Sequence, residues 1–549
     1  MVCWLLFFSP SKKACAQSAF IPLNDFSYNY LSRFEIKSGK VSDDLHFSCL
    51  PLLRQNAIRF LDSMRGKSIS LSNTDIMAIE YLRLDNQEWS NDSAESRHSF
   101  LKYFYNSPAD FYQYHSNDFL IKINPVFEFN IGKESASDRT LYINTRGVDL
   151  RGWISKKVGY YFFLTENQAR FPLFVRERTD SFGALPNEGY YKTFGKEGVD
   201  FFDAKGYFDF KVAKFITVQF GHDKNFIGNG IRSLALSDFS EDYIFLKLQT
   251  QVWKFSYQNI FADMTGKFLR GGDQLLPKKF AAFHHLSINV TKFLNAGLWE
   301  SVVFHRNNGF ELQYLNPIIF YRSVEQLIGS PDNTMLGADY RINFLHHFSW
   351  YGQLMIDDLN IGESKNGKGY WGDKYGLQNG IKYIDAFDIQ NFDLQLEWNH
   401  VRPYTYTHYD TVSSYTNYNQ ALAHPLGANF NEWTGKIRYQ PVFPVTIQWR
   451  WTFARQGNDT SGLNYGANIF FPTDQTNVIH IYNNEVGQGV KTKLFLSELS
   501  AAWMIKHNLY VDVSYVYRRT RSNVSSSASS TSVFQAGVRM NIPGKNFQF

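Results

Sequence analysis

The chain has 549 residues, 17% of them aromatic (50 Phe, 33 Tyr, 12 Trp), and a formal net charge of +5 from 56 basic and 51 acidic residues. So small a charge excess excludes the electrostatic footprint of a nucleic-acid-binding protein. A mean hydropathy of −0.34, with no apolar run of about 18 residues after the N-terminus, excludes ordinary transmembrane helices.

The high aromatic content fits a transmembrane barrel, which needs aromatic girdles at both interfaces while every second strand residue faces a wet lumen. In chain order, Val2 to Phe8 form a short apolar run, and Ala14-Cys15-Ala16 before Gln17 has the small residues of a cleavage site. Together they predict a signal peptide over 1–16, although the positive n-region is missing and Lys12-Lys13 follow the apolar run. Cleavage there leaves Cys49 as the single thiol, which permits no internal disulfide and no cysteine metal site.

Residues 17–110 read as a mixed, partly helical region on the periplasmic side. Leu53, Ala57, Phe60, Leu61 and Met64 recur at helical spacing. Ser72, Asn73 and Asp75 form an N-cap before a second run from Ile76 to about Trp89. The expectation is a small bundle that packs on or plugs the barrel.

From about residue 117 the period changes to two, and residues 111–549 read as the barrel. Phe119, Ile121, Ile123, Phe127, Phe129 and Ile131 share one face, with Lys122, Asn124, Glu128 and Asn130 opposite. Leu394, Leu396 and Trp398 alternate with Gln395, Glu397 and Asn399. Val445, Ile447, Trp449, Trp451 and Phe453 alternate with Thr446, Gln448, Arg450 and Thr452. Leu509, Val511, Val513, Tyr515 and Tyr517 alternate with Tyr510, Asp512, Ser514 and Arg518. At roughly 20–25 residues per strand and turn, the fold class is an all-β membrane protein, a transmembrane antiparallel β-barrel of about 16–18 strands with a small N-terminal helical region. A soluble β-sandwich also alternates, but rarely needs so many long strands with aromatics on the apolar face. The Ser-rich stretch Ser522 to Ser532 reads as a solvated hairpin tip. The last strand is expected from Phe534 to Ile542, with Phe547 and Phe549 closing the chain in the manner of an outer-membrane C-terminal signal.

Candidate chemistry is sparse. His284-His285, His346-His347 and Asp357-Asp358 are adjacent pairs, which on a strand point to opposite faces and do not converge on a metal or a proton. No Gly-x-Ser-x-Gly, His-Glu-x-x-His or cysteine-based motif is present. Gly228 and Gly230 allow positive φ or close backbone approach, as a tight turn or an inward-folded loop needs. Tyr, Asn, Gln and His are dense from Tyr415 to Asn429. That mixture suits either a sugar-binding loop, with rings on sugar faces and amides on hydroxyls, or a packed loop folded into the lumen.

Four stretches, and the N-terminal segment beside them, carry a resemblance. Asn225-Phe226-Ile227-Gly228-Asn229-Gly230, followed by Ser233-Leu234-Ala235-Leu236-Ser237-Asp238, is similar to the aromatic-x-Gly-x-Gly and Ser-Leu-x-Leu-Ser-Asn segment of the Wzi capsule-assembly family. Phe226 stands for the usual Trp, Asn229 for Pro and Asp238 for Asn. Tyr351-Gly352-Gln353 resembles that family's Tyr-Gly-Gln strand. Leu315 to Arg322, Leu422 to Phe430, and the N-terminal Pro22-Leu23-Asn24 with Tyr30 to Ile36 resemble its longer relatives in gliding bacteria.

The resemblance implies an outer-membrane barrel of a Gram-negative bacterium, with a periplasmic helical bundle, that binds exported or capsular polysaccharide without catalysis or cofactor. Other implied partners are outer-membrane lipid, the barrel assembly machinery and, in some relatives, motility proteins. The residues expected to bind glycan are Asn225, Phe226, Asn229, Arg232, Tyr351, Gln353, Tyr415, Tyr418, Asn419, Gln420, His424 and Asn429; no metal ligand is expected. The alternatives are an accessory protein of gliding motility and a diffusion porin.

Overall fold

The computed structural model describes residues 19–65, 69–90, 104–267, 275–306, 309–460, 462–524, 528–543, 545 and 547. Eighteen antiparallel strands form a closed barrel that begins with Phe119–Glu134 and ends with Ser529–Met540. These two strands pair from Met540 opposite Phe127 to Val533 opposite Glu134 and so close the ring. No helix among the described residues is long and apolar enough to cross a membrane.

The wall inverts the usual distribution of polarity. Phe129, Ile131, Phe208, Phe220, Leu298, Trp433, Trp449 and Trp503 are exposed, whereas Lys122, Asn167, Asp209, Gln219, Glu397, Asn399 and Thr434 are buried. Alternation puts the first set outside and the second in the lumen. An apolar outer belt around a polar interior is the architecture of an outer-membrane barrel. His284 and His285 diverge as strand neighbours must. His285 points inward, while His284 lies on the outer wall, where its ring is 3.1 Å from Glu300. His346 and His347 instead occupy a tight turn, with His346 at φ 59°, and their rings meet the Lys37 and Ile384 carbonyls.

The two ends differ. One has tight turns such as 155–157, 253–254, 443–444 and 507–508, and the other has long loops at 171–197, 305–332, 402–429 and 459–489. Helices α1 (Ser27–Lys37), α2 (Arg54–Met64) and α3 (Asn73–Asp85) seal the tight-turn end. The stripe read from Ala57 to Met64 is buried on α2, and Leu31, Phe34, Leu61 and Leu82 form the bundle's centre. Ser72 and Asp75 make a reciprocal capping box at the start of α3. The unexpected helix is α1, whose buried side includes Arg33, Glu35 and Lys37 as well as Leu31 and Phe34. Those charges mask the apolar stripe because they face the barrel wall. Arg33 meets Asp75 at 2.8 Å and also pairs with Asp385 and Asp393 of the wall.

The C-terminal expectation needs correction. Strand pairing stops at Met540, because Asn541 takes a left-handed φ of 52° and its amide donates to the Pro125 carbonyl at 2.8 Å. Ile542 turns inward among Phe20, Val126 and Tyr161. Lys545 then pairs with Glu188 and Asp203 at 2.9 and 2.7 Å. The Phe547 ring packs 4.6 Å from Phe171, where a long loop begins. The described tail residues Ile542, Lys545 and Phe547 therefore lie along the lumen instead of extending the last strand. The Ser-rich hairpin is also tighter than expected, since Ser529 to Ser532 already belong to the strand. The expected signal peptide and Phe549 lie outside the described residues.

Candidate functional site

Residues 224–242 leave the strand Ile216–Asp223 and turn into the lumen. There Phe226 and Ile227 pair with Leu50 and Cys49 of the N-terminal segment, and the Gly228 N–H donates to the Ser48 carbonyl at 2.9 Å. A plug from the long-loop end thus meets one from the tight-turn end. Gly228 has φ 149° and a side chain there would strike Gln353; one on Gly230 would strike the Glu397 carboxylate. Both glycines exist to let backbone approach the wall.

The wall grips this loop through its own polar groups. The Gln353 amide donates to the Ile227 carbonyl at 3.0 Å and accepts from the Leu234 N–H at 2.9 Å. Glu397 accepts the Ile231 and Arg232 N–H groups at 2.6 and 3.0 Å and the Tyr351 hydroxyl at 2.9 Å. Two of the segments that carry the resemblance, 225–238 and 351–353, are therefore the two halves of one lock.

Loop 402–429 closes over it. The Tyr406 and Tyr415 hydroxyls donate to the Leu234 and Ala235 carbonyls at 2.9 and 2.7 Å. The Ser237 N–H donates to the Leu422 carbonyl at 2.8 Å. Asp357 of the wall accepts the Tyr406 N–H at 2.6 Å, and its neighbour Asp358 is exposed.

The sequence-expected glycan residues are thereby located. Asn225 is buried and accepts from Lys247 at 3.1 Å, while Phe226 pairs within the plug. Tyr351, Gln353 and Tyr415 are spent on the lock. Asn429 donates to the Gly457 and Gln488 carbonyls at 2.7 and 3.0 Å and accepts from the Gly487 N–H at 2.7 Å. The Leu426 N–H donates to His424 Nδ1, so the ring carries its proton on Nε2, 2.8 Å from Glu432; burial pushes that ring below its ordinary pKa despite the nearby carboxylate. Asn419 donates to the Phe182 carbonyl, and Gln420 accepts from the Asn187 N–H. Tyr418 is half-buried beside them, its N–H on the Thr265 carbonyl. Arg232 reaches Glu432 at 3.4 Å.

Asn229 differs: it is 7% exposed, yet neither side-chain amide atom has a protein partner. It borders a partly open cavity of 570 Å³ between the N-terminal segment, the folded loop and one side of the barrel wall. That volume is within the range of about 300–1,000 Å³ usual for small-ligand sites. Asn229, Arg232, Lys382, Lys436, Arg438 and Arg450 all line it. The wall cations were legible only as inward positions of alternating strands.

A second arrangement has no motif at all. Cys49 Sγ lies 3.0 Å from His285 Nδ1, and His285 Nε2 lies 2.6 Å from Asp339 Oδ2. This is the order of a nucleophile, base and orienting carboxylate. The residues are 236 and 54 positions apart in sequence, and all three are at least 96% buried, with none of them lining the cavity. Its evident work is to tie the N-terminal segment to the wall.

No known family matches the sequence, and no curated protein matches it. Among solved structures, Wzi is described as an outer-membrane protein involved in group 1 capsule assembly in Escherichia coli and a carbohydrate-binding β-barrel. It is similar over 96% of this chain and 100% of its own, with a TM-score of 0.58 at 14% identity. OprD from Pseudomonas aeruginosa is similar over 76% of this chain and 93% of its own, at a TM-score of 0.41 and 12% identity. OccK8 (OprE) from the same organism has a TM-score of 0.43 and 8% identity over 76% and 97%. The fold of this chain is that of the Wzi barrel.

Proposed function

We propose that this protein binds exported polysaccharide at the surface of a Gram-negative cell and helps hold or assemble a capsule. On this reading the tight-turn end with its bundle faces the periplasm and the long loops face outward. The observation that carries the reading is the double plug. A lumen filled by residues 224–242 and 402–429 and capped by α1 to α3 is not built to conduct solutes, so the reading is preferred to a diffusion porin.

At the long-loop end, aromatic rings stand at the surface. Tyr190 and Tyr409 are exposed. The Tyr370 and Tyr482 rings lie 5.7 Å apart beside Glu363, whose carboxylate accepts the Tyr482 hydroxyl at 2.5 Å. Such rings offer apolar faces to sugars, with amides and carboxylates for their hydroxyls. The Wzi fold supports the reading, since that protein is described as carbohydrate-binding.

The test is a deletion strain assayed for retained surface polysaccharide. Loss of retention, restored by the wild-type gene and not by a Tyr370→Ala, Tyr482→Ala double variant, is the expected result. Full retention in the deletion strain contradicts the reading.

A further inference from the structure

The basic side of the lumenal cavity is costly, and its two lysines meet only neutral groups of α1. Lys436 and Arg450 stand directly opposite each other on paired strands. Gln395 stands opposite both Lys436 and Lys382, so the three cations occupy one row across neighbouring strands. Like charges placed directly across an antiparallel pair destabilise it. Among the described residues, Lys436 donates to the neutral Asn29 amide oxygen at 3.1 Å and Lys382 to the neutral Ser32 hydroxyl at 3.3 Å; no carboxylate lies within 4.0 Å of either ammonium. Of the carboxylates around them, Glu35 is held by Arg341 and Glu397 by the Ile231 and Arg232 N–H groups. Asp393 is held by Arg33, and Glu498 stands across the strand pair from Arg450. The unpartnered Asn229 amide borders the same space.

We propose that this cavity binds an anionic saccharide unit, through a sugar carboxylate or phosphate set against Lys382, Lys436 and Arg450, with the Asn229 amide on a neighbouring hydroxyl. This deepens the polysaccharide reading above and rests on it for the source of the ligand. A carboxylate or phosphate supplies the missing negative charge, and ammonium and guanidinium groups are its ordinary partners. The Asn229 amide supplies both a donor and an acceptor, which suits a hydroxyl.

The experiment is calorimetric titration of the purified full-length protein in detergent micelles with oligogalacturonate and with a neutral maltooligosaccharide of equal length. Wild type is expected to bind oligogalacturonate more tightly than the neutral sugar, with inorganic phosphate competing. A Lys436→Gln, Arg450→Gln double variant should lose at least about tenfold in oligogalacturonate affinity, the scale of a lost charged hydrogen bond. Lys436→Arg should keep it. Removing the like-charge pair should leave heat resistance equal or higher, a result that a merely structural role does not give.

Equal binding of oligogalacturonate by wild type and double variant overturns the proposal, as does absence of binding by wild type. Titration with surface polysaccharide from the same cells separates the two readings. If it binds wild type and double variant alike, the anion site fails and the surface-binding function stands. If oligogalacturonate binding depends on Lys436 and Arg450 but the cell's polysaccharide does not bind, the site stands and the function fails.

Discussion

Gly230 shows how one atom controls the plug. A Cβ there enters the space of the Glu397 carboxylate, which holds the Ile231 and Arg232 N–H groups. Gly230→Ala is therefore expected to cost about 1–3 kcal/mol, the usual range for overpacking, and to open the loop 224–242 to protease before the barrel unfolds. Equal protease resistance in variant and wild type contradicts the lock. Asp75 acts similarly in the bundle. Burial alone would raise its carboxyl, but hydrogen bonds and charge from Arg33 and Lys37 outweigh burial and hold it at about 2. A carboxyl depressed from 3.8 stabilises the folded state above pH 4 and loses that contribution as pH falls through about 2, worth about 2 kcal/mol at neutral pH. Asp75→Asn should weaken the bundle at pH 7 and flatten the fall in stability between pH 4 and 2; an unchanged acid limb refutes the assignment. Cys49, 4% exposed, should resist a maleimide in the folded protein and react after heating. Labelling of the native protein at Cys49 would contradict its burial.

At the scale of elements, α1 is the hinge between bundle and barrel. Its Arg33 joins Asp75 of α3 to Asp385 and Asp393 of the wall. Arg33→Ala leaves Asp75 and Asp385 sharing Lys37 and Asp393 with Arg438 alone at 3.9 Å, a loss below the roughly 3–5 kcal/mol of a fully unpaired buried charge. The expected outcome is a barrel that remains heat-modifiable on gels while residues of the bundle become protease-sensitive. A bundle as resistant as wild type means that Val41, Tyr81 and Phe26, which meet Lys292, Asn508 and Tyr510 of the wall, suffice to dock it. The helix itself was hard to see in sequence. Arg33, Glu35 and Lys37 interrupt its apolar pattern because their charged partners are 38 or more positions away or on the barrel, whereas α2 and the Ser72 cap of α3 are local signals and were legible. The final strand shows the opposite case. Its alternation is local and correct to Met540, but the inward turn at Asn541 depends on the Pro125 carbonyl of the first strand, which no local pattern records.

Across the whole molecule, the barrel was written in the alternation, since Phe129 and Ile131 face lipid and Lys122 and Asn124 face the lumen. The site was not. Gln353 finds Ile227 at 126 positions' distance, and Tyr406 finds Leu234 at 172. These distances turn residues that look like sugar ligands into the struts of a plug. The same folding leaves Asn229 and the lysine row facing a cavity, which only the closed barrel brings together. With both ends filled, single-channel recording of the wild-type protein should give little current; steady porin-like conductance would mean that the plug moves aside. The most direct test of the central claim is binding of the purified protein to surface polysaccharide from the cells that make it. Saturable binding that is lost when Tyr370 and Tyr482 are replaced together by Ala is predicted, and absence of binding to that polysaccharide contradicts the account.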